Sequence, residues 1–347
     1  MLRKLTALFA TLALGAAAHA GPADKKLDVY WIDTEGGAAT LFVTPAGESV
    51  LIDTGNPGKA GEEPRDATRI FKAAQAAGLK KIDYLVTTHY HVDHFGGAAD
   101  LAKLIPIGTV YDNGTLSGRE RPSEAYLNFP ADKRAVINPG DALPLKNLDD
   151  PKAPKLSITC IATRQQTMPA PAGAKKNDVK DPKRKPEDRS DNANSVVSVI
   201  QFGDWRMYSG GDVTWNTEEK LVVPANLIGT VDVYQVTHHG LDISNNPLVI
   251  QACQPRVAVF CNGATKGAMP DVMATVKSTD SIVGIYQMHK VTRADGAKTN
   301  VPDEFIANQT PECQGNGIRC AVEPDGKAYT ISIPATKHEQ RFETKAK

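Results

Sequence analysis

Between positions 89 and 94 the chain reads His89-Tyr90-His91-Val92-Asp93-His94, which gathers three of its 8 histidines and a carboxylate into one short run. Alternate side chains of an extended segment point the same way, so His89 and His91 converge on one side of a strand end. A turn after them brings Asp93 and His94 toward a neighbouring point. Imidazole nitrogen with carboxylate oxygen is the ligand set of zinc and, less selectively, of manganese or iron, so the run predicts two divalent metal ions, zinc first among them. Two cations a few ångströms apart can turn water into a nucleophile at neutral pH and neutralise the oxygens of a phosphoryl group. Chance accumulation of surface histidines explains the clustering poorly.

Later residues could join this group. Asp212 stands in Ser209-Gly210-Gly211-Asp212, and His238-His239-Gly240 follows another apolar run. Neighbours on an extended chain diverge, so one histidine of the pair is expected to bind metal and the other to face substrate. His238 is read as the ligand, and His239 as a phosphate contact or proton donor to the leaving group. Asn194 reads either as a substrate or water contact or as the turn residue that opens the next strand. Asp33 and Glu35 read as solvated turn carboxylates, and His289 as a residue of the site rim or of the plain surface. Lys266 and Arg293 are candidate anion contacts, but single basic residues are too common to carry a role.

The elements that must position these groups follow from patterning. β-rich runs at 27–32, 39–43 and 49–53 form a meander, and residues 66–77 show helical apolar spacing that ends at Gly78. A buried strand at 82–87 delivers the histidine run; a helix at 96–104 and a strand at 108–111 follow, so parallel pairing is expected here. Strands at 195–202 and 205–209 joined by Gly203-Asp204 form a hairpin, then come a helix near 217–222 and strands at 231–237 and 257–260. Each candidate polar residue thus lies at the C-terminal end of a strand. Residues 163–190, rich in Pro, Lys, Arg and Asp, form a polar loop insertion read as solvated rather than as a basic flap over the site. Residues 305–347 form a C-terminal β extension with a turn at Asp325-Gly326.

With 347 residues, 41% of them hydrophobic, the chain can bury a large core, and 40 basic against 40 acidic residues project no field toward nucleic acid or an anionic membrane. Met1-Leu2-Arg3-Lys4, an apolar run to Ala18 and Ala18-His19-Ala20 have the three parts of a signal peptide over residues 1–20, cut after Ala20. Residues 21–347 then form one domain in the periplasm or outside the cell, with no membrane span. An oxidising compartment permits a disulfide, and Cys313 with Cys320 is the expected pair. Nothing in the sequence sets the oligomeric state.

The pattern HxHxDHxGG at 89–97, with Leu51-Ile52-Asp53-Thr54-Gly55 upstream, resembles the metallo-β-lactamase superfamily. The resemblance runs from about residue 28 to residue 290 and implies an α/β (α+β) fold, the four-layer αββα sandwich. It also implies that His89 and His91 bind a first metal, that Asp93 and His94 bind a second, and that Asp212 bridges them. His238 or His239 would complete the second site, and Asp53 would orient a ligand from behind. No histidine lies between His94 and His238 to supply the usual third ligand of the first metal; Asp191 or Asn194 are the expected substitutes. Asp191-Asn192-Ala193-Asn194-Ser195, Gly211-Asp212 and His238-His239-Gly240 resemble the subgroup that holds the nuclease-like domain of the DNA-uptake channel ComEC and the surface phosphorylcholine esterase. That implies cleavage of a small-molecule or polymer phosphodiester, with a hydroxide bridging the metals as nucleophile and Asp93 as base. The alternatives are a lactone, lactam or ester hydrolase of the same fold and a non-catalytic ligand-binding domain.

Overall fold

A computed structural model describes residues 24–115 and 120–345. The expected leader, residues 1–20, lies outside them. The strands are β1 (Leu27–Trp31), β2 (Thr40–Val43), β3 (Ser49–Ile52), β4 (Ile82–Val86), β5 (Ile107–Asp112), β6 (Lys133–Val136), β7 (Leu156–Thr163), β8 (Gln166–Thr167) and β9 (Val197–Phe202). They continue as β10 (Trp205–Ser209), β11 (Val233–Gln235), β12 (Val257–Phe260), β13 (Gly284–His289), β14 (Ile306–Asn308), β15 (Ile318–Val322), β16 (Ala328–Ile333) and β17 (His338–Glu343). The helices are α1 (Arg65–Ala76), α2 (Val92–Phe95), α3 (Ala98–Leu101), α4 (Glu124–Asn128), α5 (Trp215–Lys220), α6 (Pro247–Cys253), α7 (Pro270–Lys277) and α8 (Gly296–Thr299).

Two sheets result. One runs β17-β16-β15-β1-β2-β3-β4-β5-β6 and the other β14-β13-β12-β11-β10-β9-β7-β8. Side-chain alternation shows why they stack. In β1 to β3, Val29, Trp31, Phe42, Val50 and Ile52 enter the core shared with Ile158, Met207, Val233, Val257 and Val259 of the second sheet. The alternate residues Leu41, Val43 and Leu51 face Ile70 and Ala74 of α1 and Leu101 of α3. On the other side Tyr234, Ala258 and Phe260 pack against Val249 and Ile250 of α6 and Val272, Met273 and Val276 of α7. Three apolar layers therefore separate four layers of secondary structure, and the central strands of each sheet are buried on both faces while the edge strands β6 and β17 are largely exposed. This is the expected αββα sandwich.

From β3 to β6 and from β10 to β14 neighbouring strands run parallel, so their C-terminal ends open onto a common edge. Loops leaving that edge carry the candidate ligands, the usual location of sites in open parallel sheets.

The patterning did not reveal β6, β7, α4, α6, α7 or α8 as separate elements. β7 is broken by a register shift between Cys160 and Ala162, which interrupts the alternation. The segment 163–190 begins as the end of β7 and the short partner strand β8, and it is pinned rather than loose: Arg184 pairs with Glu219, and the Lys185 ammonium sits 4.1 Å from the Trp215 ring centroid. At the C-terminus β14 joins the second sheet, while β15 pairs with β1 and continues through the Gly326 turn to β16 and β17.

The expected Cys313–Cys320 disulfide is absent, because all five cysteines are free thiols. Cys320 points from β15 into the core between the sheets, whereas Cys313 contacts the Asp33 carboxylate at 3.0 Å. No helix of the described residues is long and apolar enough to cross a membrane.

Candidate metal centre

β4 ends at Val86 and the chain stays extended to His91, which occupies the N-cap of α2 with φ −84° and ψ 143°. One turn of helix then lifts Asp93 and His94 to the level of His89, the change of direction that the spacing predicted. The turn is fixed from below. The Thr54 amide and hydroxyl both donate to the His94 carbonyl, at 2.6 and 3.0 Å. A Cβ at Gly97 would lie 2.2 Å from the Thr54 carbonyl oxygen, so only glycine allows that approach. Asp53, just past β3, adopts a left-handed φ of 62°. Its carboxylate accepts from the Thr88 amide and hydroxyl at 2.8 Å each and meets His94 Nδ1 at 2.7 Å. Asp53 thus stands behind His94, where the resemblance put it.

Asp212 follows β10 through Gly211, whose φ is 55°, and it is buried. The histidine pair departs from the extended conformation assumed above. His238 and His239 are both left-handed, each with φ 55°, inside the tight turn Thr237–Gly240. Two successive left-handed residues without a glycine cost of order 1–3 kcal/mol each, a strain that surrounding contacts must hold. The turn makes both rings converge instead of diverging: their Nε2 atoms lie 3.2 and 3.4 Å from the same Asp212 Oδ2. Only His239 also reaches Asp93, at 3.4 Å, and His94, at 3.3 Å. His238 is tied through Nδ1 to Ser244, at 3.0 Å. The place beside Asp93 and His94 that sequence reasoning gave to His238 is therefore taken by His239, and His238 stands next to it.

The separations within this group are informative. His94 Nε2 is 3.2 Å from Asp212 and 3.7 Å from Asp93, and every other measured edge among Asp93, His94, His239 and Asp212 is 3.3–3.4 Å. Four donors about 2.0–2.1 Å from one ion at tetrahedral angles are spaced by nearly that amount. On the other side of Asp212, His89 Nε2 is 3.9 Å away, buried and without a hydrogen-bond partner. An orphaned imidazole nitrogen there is costly unless a ligand satisfies it. The donors present thus suit divalent cations in two neighbouring groups, one of Asp93, His94 and His239 and one of His89, His94 and Asp212.

Protonation follows from the same packing. Burial, reinforced by the neighbouring His94, holds His89 well below the usual histidine range, so it is neutral with a free lone pair. Burial likewise pushes His238 down to about 4 against the pull of Asp212. Burial opposes ionisation of Asp212, but His238, His94 and His239 outweigh it and hold the carboxyl well below its usual range. Asp93 is held low in the same way by His94, His239 and Lys266 against its own burial. His94 shows the complementary effect: burial disfavours its charge, yet Asp212, Asp53 and Asp93 together raise it well above the usual value. The centre demands positive charge.

Other candidates lie elsewhere. Asn194 turns away and donates to Asp191 Oδ1 at 2.9 Å. Asp191 is a buried structural hub whose oxygens accept from the Tyr90 amide, Asn113, Thr115 and Asn194. Asp33 is not a solvated turn residue: it is fully buried, 2.7 Å from His289 and 3.0 Å from the Arg69 guanidinium. His289 is correspondingly buried rather than at the rim, and Glu35 completes the network with Arg69 and Arg65. Arg69 supplies the counter-charge for Asp33 and Glu35, so those charges are paired within the cluster, and it donates to the Cys313 sulfur at 3.5 Å. Burial and the Asp33 contact push the Cys313 thiol up to about 11. Arg293 pairs with Asp295 and donates to carbonyls of residues 265–268.

Two residues gain a place at the centre: Lys266, weighed above only as an anion contact, and Glu120, which the sequence did not signal. The Lys266 ammonium contacts Asp93 Oδ2 from the loop after β12, and Glu120 Oε1 lies 3.2 Å from His91 Nε2. Both are common residue types outside any motif, so only their spatial position identifies them.

Residues 33–152 match the family model described as Metallo-beta-lactamase superfamily. A UPF0173 metal-dependent hydrolase of Cupriavidus necator is 36% identical over 98 residues, covering 27% of this chain and 29% of that protein. ComE operon protein 3 of Bacillus subtilis is 26% identical over 229 residues, covering 62% of this chain and 25% of that protein. The chain therefore spans less than a third of the length of these curated relatives. Among solved structures, CmlA, a diiron β-hydroxylase from Streptomyces venezuelae, is 15% identical with a TM-score of 0.38 over 70% of this chain and 45% of that one. The histidine run lies within the matched residues, and residues 33–152 therefore hold a metallo-β-lactamase superfamily domain.

Proposed function

We propose that this chain is an exported metal-dependent hydrolase that cleaves a phosphodiester. The observation that carries the hydrolase reading is the near-tetrahedral spacing of Asp93, His94, His239 and Asp212 beside the unpartnered Nε2 of His89. His89, His91 and Asp212 would hold one divalent ion, and Asp93, His94, His239 and Asp212 the other. Zinc is the expected metal from the nitrogen-rich donor set, with manganese or iron as alternatives. The ions would supply an activated water and charge for the phosphoryl oxygens.

The chain's own residues do the rest. Asp53, 2.7 Å from His94 Nδ1, fixes that ring so that Nε2 presents its lone pair inward. Ser244 does the same for His238. The part of proton donor to the leaving group that sequence reasoning gave to His239 does not pass to His238, which burial pushes down to about 4 and which stays neutral between Asp212 and Ser244. Lys266 supports the phosphodiester over a neutral amide or ester, since an ammonium at the Asp93 carboxylate matches a substrate that stays anionic.

Purified mature protein loaded with Zn(II) or Mn(II) is expected to hydrolyse bis(p-nitrophenyl) phosphate, to lose the activity with chelator and to leave nitrocefin and acyl-lactones intact. Turnover of a lactone or lactam without any of the diester would transfer the reading to the carbonyl hydrolases. In the same assay Asp53→Ala should lower metal affinity or turnover by roughly 10–100-fold, the usual loss when a partner behind a ligand histidine is removed. An unchanged metal affinity and rate in that variant would show that His94 needs no such support.

A further inference from the structure

We propose that Glu120 joins His89, His91 and the shared Asp212 as a protein ligand of the first metal site, standing where a histidine is missing from the motif. The proposal rests on the metal-dependent reading above and concerns how one of its two sites is built.

The argument is partly elimination. Of the histidines beyond the run, His239 belongs with Asp93 and His94, and His238 is held between Asp212 and Ser244. His289 is bonded to Asp33, and His338 lies 3.1 Å from the Tyr286 hydroxyl on the far strand β17. The two sequence-based substitutes also fail. Both oxygens of Asp191 are consumed by four donors, the Tyr90 amide at 2.7 Å, Asn113 at 3.1 Å, Thr115 at 2.8 Å and Asn194 at 2.9 Å. Asn194 spends its own amide on Asp191.

What remains is positive. Glu120 places Oε1 3.2 Å from His91 Nε2, a separation that two donors sharing one ion at about 2.0–2.1 Å would adopt. Its other oxygen accepts the Asp191 amide hydrogen, which anchors the carboxylate to the same hub that holds the Tyr90 amide between His89 and His91. The His89 and His91 rings meet edge to face with centroids 4.8 Å apart, which sets the His91–Glu120 pair beside the tight group of His89, His94 and Asp212, where the buried His89 nitrogen has no partner. A carboxylate here also gives the first site two negative ligands, Glu120 and Asp212, against the single one of a three-histidine site. That favours harder cations such as Mn(II) relative to a three-histidine set.

The test is a metal count on the mature protein, made without substrate. Zn(II) and Mn(II) are titrated against a chromophoric chelator into wild type, Glu120→Gln and Glu120→His. Glutamine keeps an oxygen for the Asp191 amide but loses the anionic ligand, while histidine restores the missing imidazole. Wild type is expected to take up two equivalents. Glu120→Gln should keep one, with affinity for the other weakened about 100-fold or more, and Glu120→His should return to two with its preference moved from Mn(II) toward Zn(II). Equal thermal midpoints of the metal-free proteins confirm that the fold is intact, as expected for a side chain about 30% exposed. If Glu120→Gln binds both equivalents as tightly as wild type, Glu120 is only a hydrogen-bond partner of His91 and the proposal fails. Failure to cleave any phosphodiester leaves these counts untouched, so the two readings fall separately.

Discussion

Asp212→Asn is expected to abolish tight uptake of both metal ions and to reduce hydrolysis by well over about 100-fold, beyond the range seen when only the support of a ligand is lost. The reason is its position. A single oxygen, Oδ2, lies within 3.2–3.4 Å of His94, His238 and His239 and 3.9 Å from His89, so both groups of donors share it. Asparagine has almost the same shape, and the Asp212 amide would still donate to the Ser195 hydroxyl at 3.2 Å, so the loop after β10 should hold. The loss is electrostatic: the negative charge that offsets the buried cations disappears where the dielectric is low and a charge is worth most. Metal content after gel filtration and initial rates with a chromogenic diester would measure it. A variant that retained two equivalents and a tenth of the rate would show that Asp212 does not link the two groups.

This dependence on one shared oxygen also shows what the sequence could and could not reveal. His89, His91, Asp93 and His94 were legible because a strand end followed by one helical turn is a local geometry, set by spacing alone. Asp212 was marked as a candidate by its place just past a strand, while its bridging role and the supporting role of Asp53 came from the resemblance of the motifs around them. The order of His238 and His239 was not legible, because it depends on two consecutive left-handed residues, and histidine, though it visits that region more often than most residues, does so too rarely for a pair to be expected. Glu120 and Lys266 were hidden for a different reason. Each reaches the site from a loop of its own, Lys266 173 positions from Asp93 and Glu120 far along the chain from His91, and nothing in the local pattern of such a loop marks one charged residue from another. Asp33 was misjudged because its partners, Arg69 on α1 and His289 at the end of β13, meet it only when the two sheets close. The fold itself was legible in its parallel strands, whose alternation is regular, and was least legible at β7, where the bulge breaks it.

The same turn that orders the histidine pair is buttressed by a second buried acid, and this gives the protein a pH-dependent stability separate from its metals. Glu218 on α5 is fully buried; Oε2 accepts the Asn246 amide at 2.7 Å, whereas Oε1 has no partner. Burial raises the carboxyl from its ordinary 4.5 to about 7, more than the bonds from Asn246, Thr237 and Asn245 and the charge of Lys185 lower it. The folded state therefore holds this proton more tightly than the unfolded chain does. Its contribution is fully present below about 4.5, falls as pH rises through about 7, and is gone above that, a change on the order of 3 kcal/mol. Glu218→Gln removes the charge and keeps an oxygen for the Asn246 amide. In urea unfolding of metal-free protein at pH 5 and pH 8, wild type is expected to lose roughly 3 kcal/mol more than the variant over that interval, and the variant to be the more stable of the two at pH 8. Parallel pH curves for the two proteins would mean that Glu218 is ionised throughout, with a cation or water satisfying Oε1. Because α5 and the loop at Asn245 and Asn246 hold Thr237 from behind, with Asn245 Nδ2 donating to the Thr237 carbonyl at 2.9 Å, a protonated Glu218 also keeps the strained His238-His239 turn in place without burying an unpaired negative charge behind it.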